Sequence, residues 1–287
     1  MTEQISIIEC PRDAFQGIKQ FIPTHEKITY INQLMKVGFD TIDFGSFVNP
    51  KLVPQMIDTK LVADKIDVTN SRTKLLCIVA NLRGAQDACQ FDKISYIGFP
   101  FSISDTFQQR NANASIEESM IRVEEIQHLC VTQNKSLLVY FSMGFGNPYG
   151  DLYHPDILYH WVEKLSKLDI KLFSIADTVA VANPSLIHEV FSELIPQFPN
   201  IEFGAHFHTA PHNWLEKIES AYAAGCRKFD TAIYGYGGCP MAKDELIGNM
   251  PTELLVNYFH QSVLSNNFRM NEFEKSLRLA RKTFPTA

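Results

Sequence analysis

Two histidines separated by one residue, His206 and His208, end the apolar run Ile201-Glu202-Phe203-Gly204-Ala205-His206-Phe207-His208. In an extended strand the side chains at i and i+2 share a face, so both imidazoles reach one point. Two histidines with one carboxylate make a common divalent-metal set, and Asp13 is the candidate carboxylate. The pair also suits hydrogen bonds to loop carbonyls or contact with a phosphate, and spacing alone does not choose among these. Arg12 stands beside Asp13; a guanidinium stays charged and offers a fork of donors, suited to a carboxylate or a developing oxyanion. Asp177 fits a general base or a helix N-cap, and Asp43 fits a catalytic carboxylate or an anchor for an arginine. Cys239 follows glycines at 235, 237 and 238, where positive φ is allowed and a thiol is a candidate for acid–base or nucleophilic work.

These residues need a scaffold that delivers them to one end. Strand-like apolar runs recur at Ser6–Cys10, Asp40–Phe44, Leu75–Ala80, Lys93–Phe99, Ser136–Ser142, Leu172–Ala176, Ile201–His208 and Phe229–Ile233. Helix-period segments separate them. One opens near Thr24 and stops at Gly38, a short one runs from Met56 to Ile66, and another short one lies between the third and fourth strands. The clearest has Ser115 and Glu118 in capping-box spacing and continues to Leu129. Others run from Pro155 to Leu168, from Pro184 to Phe198 and from Asn213 to Ala224, with Thr252 expected to cap the last of the eight. Eight such units predict an α/β fold, a single (β/α)8 TIM barrel spanning about residues 5–265, with an extra C-terminal helix at about 270–284. In such barrels the active site lies at the C-terminal strand ends. Arg12-Asp13, Asp43, Asp177-Thr178, His206-Phe207-His208 and the glycine-rich run all fall there, and strands one and seven are separated only by strand eight.

Composition excludes several classes of function. The chain has 287 residues, 45% of them hydrophobic, and a net charge of −6, so it carries no basic footprint for nucleic acid. No run of 18 apolar residues is present, so no membrane-spanning helix is expected. The opening Met1-Thr2-Glu3-Gln4 has neither the pattern of a signal peptide nor that of a transit peptide. Six cysteines without CxxC spacing read as reduced thiols, so a cytoplasmic protein is expected. The absence of a P-loop, a strand-following GxGxxG and a GxSxG elbow argues against nucleotide-cofactor and serine-hydrolase chemistry.

Taken together, Pro11-Arg12-Asp13, Ser46-Phe47-Val48-Asn49-Pro50-Lys51 with Val53-Pro54-Gln55-Met56, Asp177-Thr178, His206-Phe207-His208 and Gly237-Gly238-Cys239-Pro240 resemble 3-hydroxy-3-methylglutaryl-CoA lyases. The similarity runs in order from about Ile5 to Glu253. Related Claisen-condensing synthases share the Arg-Asp and HxH elements but lack the cysteine loop. The resemblance implies a divalent cation, Mg²⁺ or Mn²⁺, held by Asp13, His206, His208 and Asn249. It implies an acyl-CoA substrate cleaved to acetyl-CoA and acetoacetate in leucine catabolism, and it leaves a homodimer open. By the same carry-over Arg12 and Gln16 bind substrate, with Arg12 stabilising the enolate, Cys239 belongs to the acid–base machinery, and Asp177 and Asp43 lie near the reacting atoms. The chain departs from the family pattern at Ala14 (usually Gly), at Asp43 (usually Glu), and at Thr209-Ala210-Pro211-His212, where Asp and a Tyr-Gly turn are usual. The loop between Cys239 and Asn249 is also one residue longer. The alternative is the same chemistry on another 3-hydroxy acid or 3-hydroxyacyl-CoA.

Overall fold

The computed structural model describes residues 4–238, 247–264 and 267–284. Parallel strands β1 (Ser6–Glu9), β2 (Thr41–Ser46), β3 (Lys74–Ile78), β4 (Ile94–Ser102), β5 (Ser136–Ser142), β6 (Leu172–Asp177), β7 (Glu202–Phe207) and β8 (Lys228–Thr231) pair in chain order. β8 returns to β1, with Ser6 beside Lys228 and Glu9 beside Thr231, and closes the (β/α)8 barrel. Closure leaves no sheet edge to solvent and buries both faces of each strand, which is why the strands read as near-continuous apolar runs.

Alternation along each strand builds two cores. Ile7, Leu75, Val139, Phe173 and Ala205 belong to the large core shared with the helices. Their neighbours Ile8, Leu76, Leu138 and Tyr140 join Cys10 and Ile78 in a separate cluster that fills the barrel. On β7 the outward set is Phe203, Ala205 and Phe207, so His206 and the following His208 face inward at the mouth.

The barrel is wrapped by α1 (Pro11–Gln16), α2 (Thr24–Leu34), α3 (Thr59–Lys65), α4 (Leu82–Cys89), α5 (Asp105–Ala112), α6 (Ile116–Thr132), α7 (Pro155–Ser166), α8 (Pro184–Gln197), α9 (Trp214–Ala223), α10 (Thr252–Val263) and α11 (Met270–Thr283). The capping box opening α6 is present, with the Ser115 hydroxyl accepting from Glu118 N–H at 3.1 Å and the Glu118 carboxylate accepting from Ser115 N–H at 2.7 Å. α11 lies on α2, where Gln33 Nε2 donates to the Glu272 carbonyl at 3.0 Å. Among the described residues, no helix is long and apolar enough to cross a membrane.

Some local expectations change. α1 follows β1 at once; it is a single stretch of six residues with Pro11 in its first turn, too short to show a period. α5 intervenes between β4 and α6. Thr252 does not cap α10, because Pro251 holds the N-cap position. Its hydroxyl instead lies 2.6 Å from Glu9 Oε2 and 2.9 Å from Thr231 Oγ1, tying the start of α10 to the β1–β8 seam. β8 ends at Thr231, and Ile233–Gly235 form a 3-10 turn in place of the expected last residues of the strand.

Candidate active site

α1 places Asp13 at the mouth of the barrel because Pro11 fixes the first turn directly after β1. One ligand atom each from Asp13, His206 and His208 lies within 4.8 Å of the others. Nε2 of His206 stands 3.8 Å from Asp13 Oδ2, and the two imidazole centroids are 5.5 Å apart. The electrostatics suit a cation. Burial favours a protonated Asp13, but Arg12 and the two histidines outweigh it and hold the carboxyl below its usual range. Burial, then the neighbouring His206, push His208 down to about 4, so its ring is neutral and keeps a lone pair at neutral pH.

Asn249 reaches the same place through the chain that returns across the barrel mouth. It forms a β-bridge with His208, framed by Thr209 N–H to Gly248 O (2.9 Å) and Met250 N–H to Phe207 O (3.1 Å). Its Nδ2 donates to Tyr236 O at 2.9 Å. Gly237, at φ +95°, crosses directly over this group; a Cβ there would lie 2.6 Å from Asp13 O and 2.8 Å from Asn249 Nδ2. Only glycine fits such an approach.

The chemistry of this donor set fits a divalent cation: an ionised carboxylate, two imidazoles and an amide whose oxygen is left over once its nitrogen has donated. His206 is further fixed from behind, since Nδ1 lies 2.9 Å from Asp230 Oδ2 on β8. Burial lowers the basicity of His206, and the Asp230 contact and Asp13 reverse this to a net rise. A carboxylate on the far nitrogen selects the tautomer whose Nε2 lone pair faces the ligand group.

Arg12 is held beside it. Its Nε and one terminal nitrogen donate to Asp43 Oδ2 at 3.0 and 2.6 Å, and the other donates to Asp13 Oδ1 at 3.2 Å and Gln16 Oε1 at 2.9 Å. Gln16 Nε2 also donates to Asp13 Oδ1. Asp43 is fully buried; burial pushes its carboxyl up to about 6 against the pull of Arg12, and its Oδ1 has no partner among the described residues. The guanidinium is thus clamped rigidly with its charge secure, as an oxyanion partner needs to be.

Of the two sequence alternatives for Asp177, the structure removes the helix N-cap. Asn183, accepting from Leu186 N–H at 2.9 Å, caps α8, so Asp177 is not that cap. Its Oδ1 accepts from Val181 N–H at 2.8 Å and Ala182 N–H at 3.1 Å, while Oδ2 is 2.6 Å from the ammonium of Lys217. Both oxygens are engaged. Cys239 lies outside the described residues, as does the rest of the run from 239 to 246.

Two residues escaped the sequence reading. Asp230 sits in an ordinary-looking apolar strand, and only the inward alternation of β8 could have marked it. Lys217 lies in a helix where a lysine reads as a solvated charge, yet it is 1% exposed.

The HMGL-like family matches residues 5–279. A hydroxymethylglutaryl-CoA lyase of Bacillus subtilis is 32% identical over 262 residues, covering 91% of this chain and 87% of its own. The cytoplasmic 3-hydroxy-3-methylglutaryl-CoA lyase of Rattus norvegicus is 32% identical, covering 89% and 74%. Among solved structures, the HMG-CoA lyase of Bacillus subtilis superposes with a TM-score of 0.91 at 29% identity, covering 99% of this chain and 95% of that one. The HMG-CoA lyase of A. baumannii, in complex with coenzyme A and 3-methylmalate, gives 0.90 at 28% identity, covering 98% and 91%. The chain therefore belongs to the HMGL-like family of carbon–carbon lyases.

Proposed function

We propose that this protein is a divalent-metal-dependent lyase that cleaves 3-hydroxy-3-methylglutaryl-CoA to acetyl-CoA and acetoacetate. The observation that carries the reading is the convergence of Asp13, His206 and His208 beside a clamped Arg12. In this reading Asp13, His206, His208 and Asn249 hold Mg²⁺ or Mn²⁺. Such a cation supplies Lewis acidity to the substrate oxygens and makes the tertiary hydroxyl easier to deprotonate.

The chain's own residues do the rest. The hydroxyl proton leaves to solvent, and that carbon becomes the ketone of acetoacetate as the C–C bond breaks. The bonding electrons pass into the thioester, and Arg12 faces the enolate oxygen with a charge fixed by Asp43 and Gln16. A preorganised donor of this kind contributes roughly 3 kcal/mol. Protonation of the enolate carbon, the step assigned to Cys239, yields acetyl-CoA. The glycines before Cys239 bring the chain across Asp13 and Asn249, which supports an approach of that loop to the reacting atoms. Asp43 and Gln16 act through Arg12. A cytoplasmic enzyme of leucine catabolism is the setting this reading gives it.

A direct product assay tests the proposal: purified protein, Mg²⁺ or Mn²⁺ and 3-hydroxy-3-methylglutaryl-CoA, with both products followed. Metal-dependent appearance of acetyl-CoA and acetoacetate is expected. Bound metal without products would shift the assignment to another 3-hydroxyacyl substrate, the departures at Ala14 and Asp43 being where the surroundings of Arg12 differ from the family pattern.

A further inference from the structure

His206 has two faces, and the second carries its own ligand set. Cys10 Sγ, His206 and an oxygen of Asp230 each offer an atom within 4.8 Å of the other two. This group lies one layer deeper than Asp13, where the polar mouth meets the apolar plug of Ile8, Leu76 and Leu138. Cys10 and Asp230 are 1% and 3% exposed.

The group is also incompletely bonded. Asp230 Oδ1 has no hydrogen-bond partner among the described residues, and neither does the hydroxyl of Tyr140, whose ring stands edge-on to His206 at 5.7 Å. Among the described residues the Cys10 thiol makes a single weak hydrogen bond, to Ile8 O at 3.5 Å. Buried oxygens without partners in a native barrel call for an occupant.

We propose that Cys10, Asp230 and the Nδ1 face of His206 form a second cation site, selective for a thiophilic divalent ion such as Zn²⁺. A thiolate, an imidazole nitrogen and a carboxylate are the donor types of tetrahedral zinc, with a water able to complete the set. Mg²⁺ avoids sulfur and prefers oxygen, so the inner site discriminates against the hard ion. Burial, then the carboxylates of Asp230, Asp43 and Asp13, keep the free thiol protonated. The same three carboxylates attract a cation, which takes the place of the thiol proton as the proton leaves to solvent.

Occupation of this site opposes the other. A neutral imidazole carries one N–H. An ion on Nδ1 displaces that proton to Nε2, which then points an N–H at Asp13 instead of offering a lone pair. The thiophilic ion is therefore an inhibitor that acts by removing His206 from the outer ligand group. This antagonism rests on the proposed hard-metal site at Asp13, His206 and His208; the binding of the thiophilic ion itself does not.

The experiment uses the full chain with Co²⁺ as a spectroscopic stand-in for Zn²⁺, together with Mn²⁺ binding followed by electron paramagnetic resonance. Wild type is expected to show a sulfur-to-cobalt charge-transfer band in the near ultraviolet. Cys10→Ser, with Cys10→Gly as the second variant should serine disturb the packing, is expected to lose the band. It should also lose Zn²⁺ affinity by more than the roughly 10–100-fold that loss of a supporting contact costs, while Cys239→Ser keeps the band. Zn²⁺ should release bound Mn²⁺ from wild type far more readily than from Cys10→Ser. No band in wild type, or a band that survives in both Cys10 variants or vanishes in Cys239→Ser, overturns the site. Equal release of Mn²⁺ from wild type and Cys10→Ser overturns the antagonism. Failure of wild type to bind Mn²⁺ would instead count against the proposed lyase centre, with the cobalt spectrum still deciding the second site.

Discussion

Lys217 Nζ lies 2.6 Å from Asp177 Oδ2 and 3.1 Å from the carbonyl oxygen of His208, with both side chains sealed from solvent. One ammonium thus joins α9, the end of β6 and the residue after β7. It also holds the main chain of a candidate metal ligand. Burying such a pair gains little over an apolar substitute, but removing one partner strands a charge. Lys217→Met is expected to destabilise the fold by about 3–5 kcal/mol. Lys217→Met with Asp177→Asn should recover a large part, since the neutral amide can still accept from Val181 and Ala182. Urea unfolding of the double-mutant cycle is the check, and simple additivity of the two changes would deny the coupling.

The two sides of His206 should separate under mutation. Asp13→Asn and His208→Ala are expected to lose metal and activity together, because each removes a ligand. Asp230→Asn removes only the orienting carboxylate at 2.9 Å, and a supporting contact of this type is worth about 10–100-fold in metal affinity. Mn²⁺ titration distinguishes them. Undiminished Mn²⁺ affinity in His208→Ala would remove that residue from the ligand set.

The barrel was legible in the sequence because strands buried on both faces read as near-continuous apolar runs between helix-period segments, and the histidine pair because side chains at i and i+2 of a strand share a face. Strand ends were legible for the same reason, and they brought Arg12, Asp13, Asp43, Asp177 and the histidines to one face. The short α1 was not, since six residues cannot show a helical period. Lys217 was hidden because a buried lysine and a solvated one look alike until the partner is known, and Asp177 and Lys217 stand forty residues apart. Thr252 was misread for a related reason. Its position before a helix mimics a cap, whereas the buried Glu9 across the seam claims its hydroxyl.

Arg12 is clamped through a fork, and its replacement tests whether the fork matters. Lysine keeps the charge but cannot span Asp43, Asp13 and Gln16 together. Arg12→Lys is expected to lower kcat by about 10²–10³-fold, the cost of losing a preorganised oxyanion donor, with metal binding retained. A rise in KM alone, with kcat unchanged, would assign Arg12 to substrate binding and not to the enolate.

Cys239→Ser should bind Mn²⁺ and substrate like the parent yet lose most of its turnover, because a serine hydroxyl is a far weaker acid than a thiol at neutral pH. Product formation in single-turnover kinetics reads this directly. Normal turnover would take Cys239 out of the mechanism.

Glu9 offers a test of stability that involves none of the metal ligands. It is 1% exposed at the β1–β8 seam, bonded to Ile233 N–H at 2.9 Å and to the Thr252 hydroxyl at 2.6 Å. Burial pushes its carboxyl up to about 8 against those hydrogen bonds, with Glu253 adding to the rise. An unfolded chain releases this proton near 4.5, whereas the folded chain keeps it to about 8. Between those values the folded state binds more protons, so the contribution is fully present below pH 4.5 and is lost as pH rises toward 8. A shift of this size amounts to a few kcal/mol. Glutamine reproduces the protonated acid, with one acceptor for Ile233 and one donor for Thr252. Urea unfolding at pH 5 and pH 8 should therefore show a smaller drop for Glu9→Gln than for the parent, which isolates Glu9 from every other titrating group. Equal drops in the two proteins would mean that Glu9 is ionised in the fold, held by Ile233 N–H and the hydroxyls of Thr252 and Thr231, and that the seam is closed by a carboxylate rather than an acid.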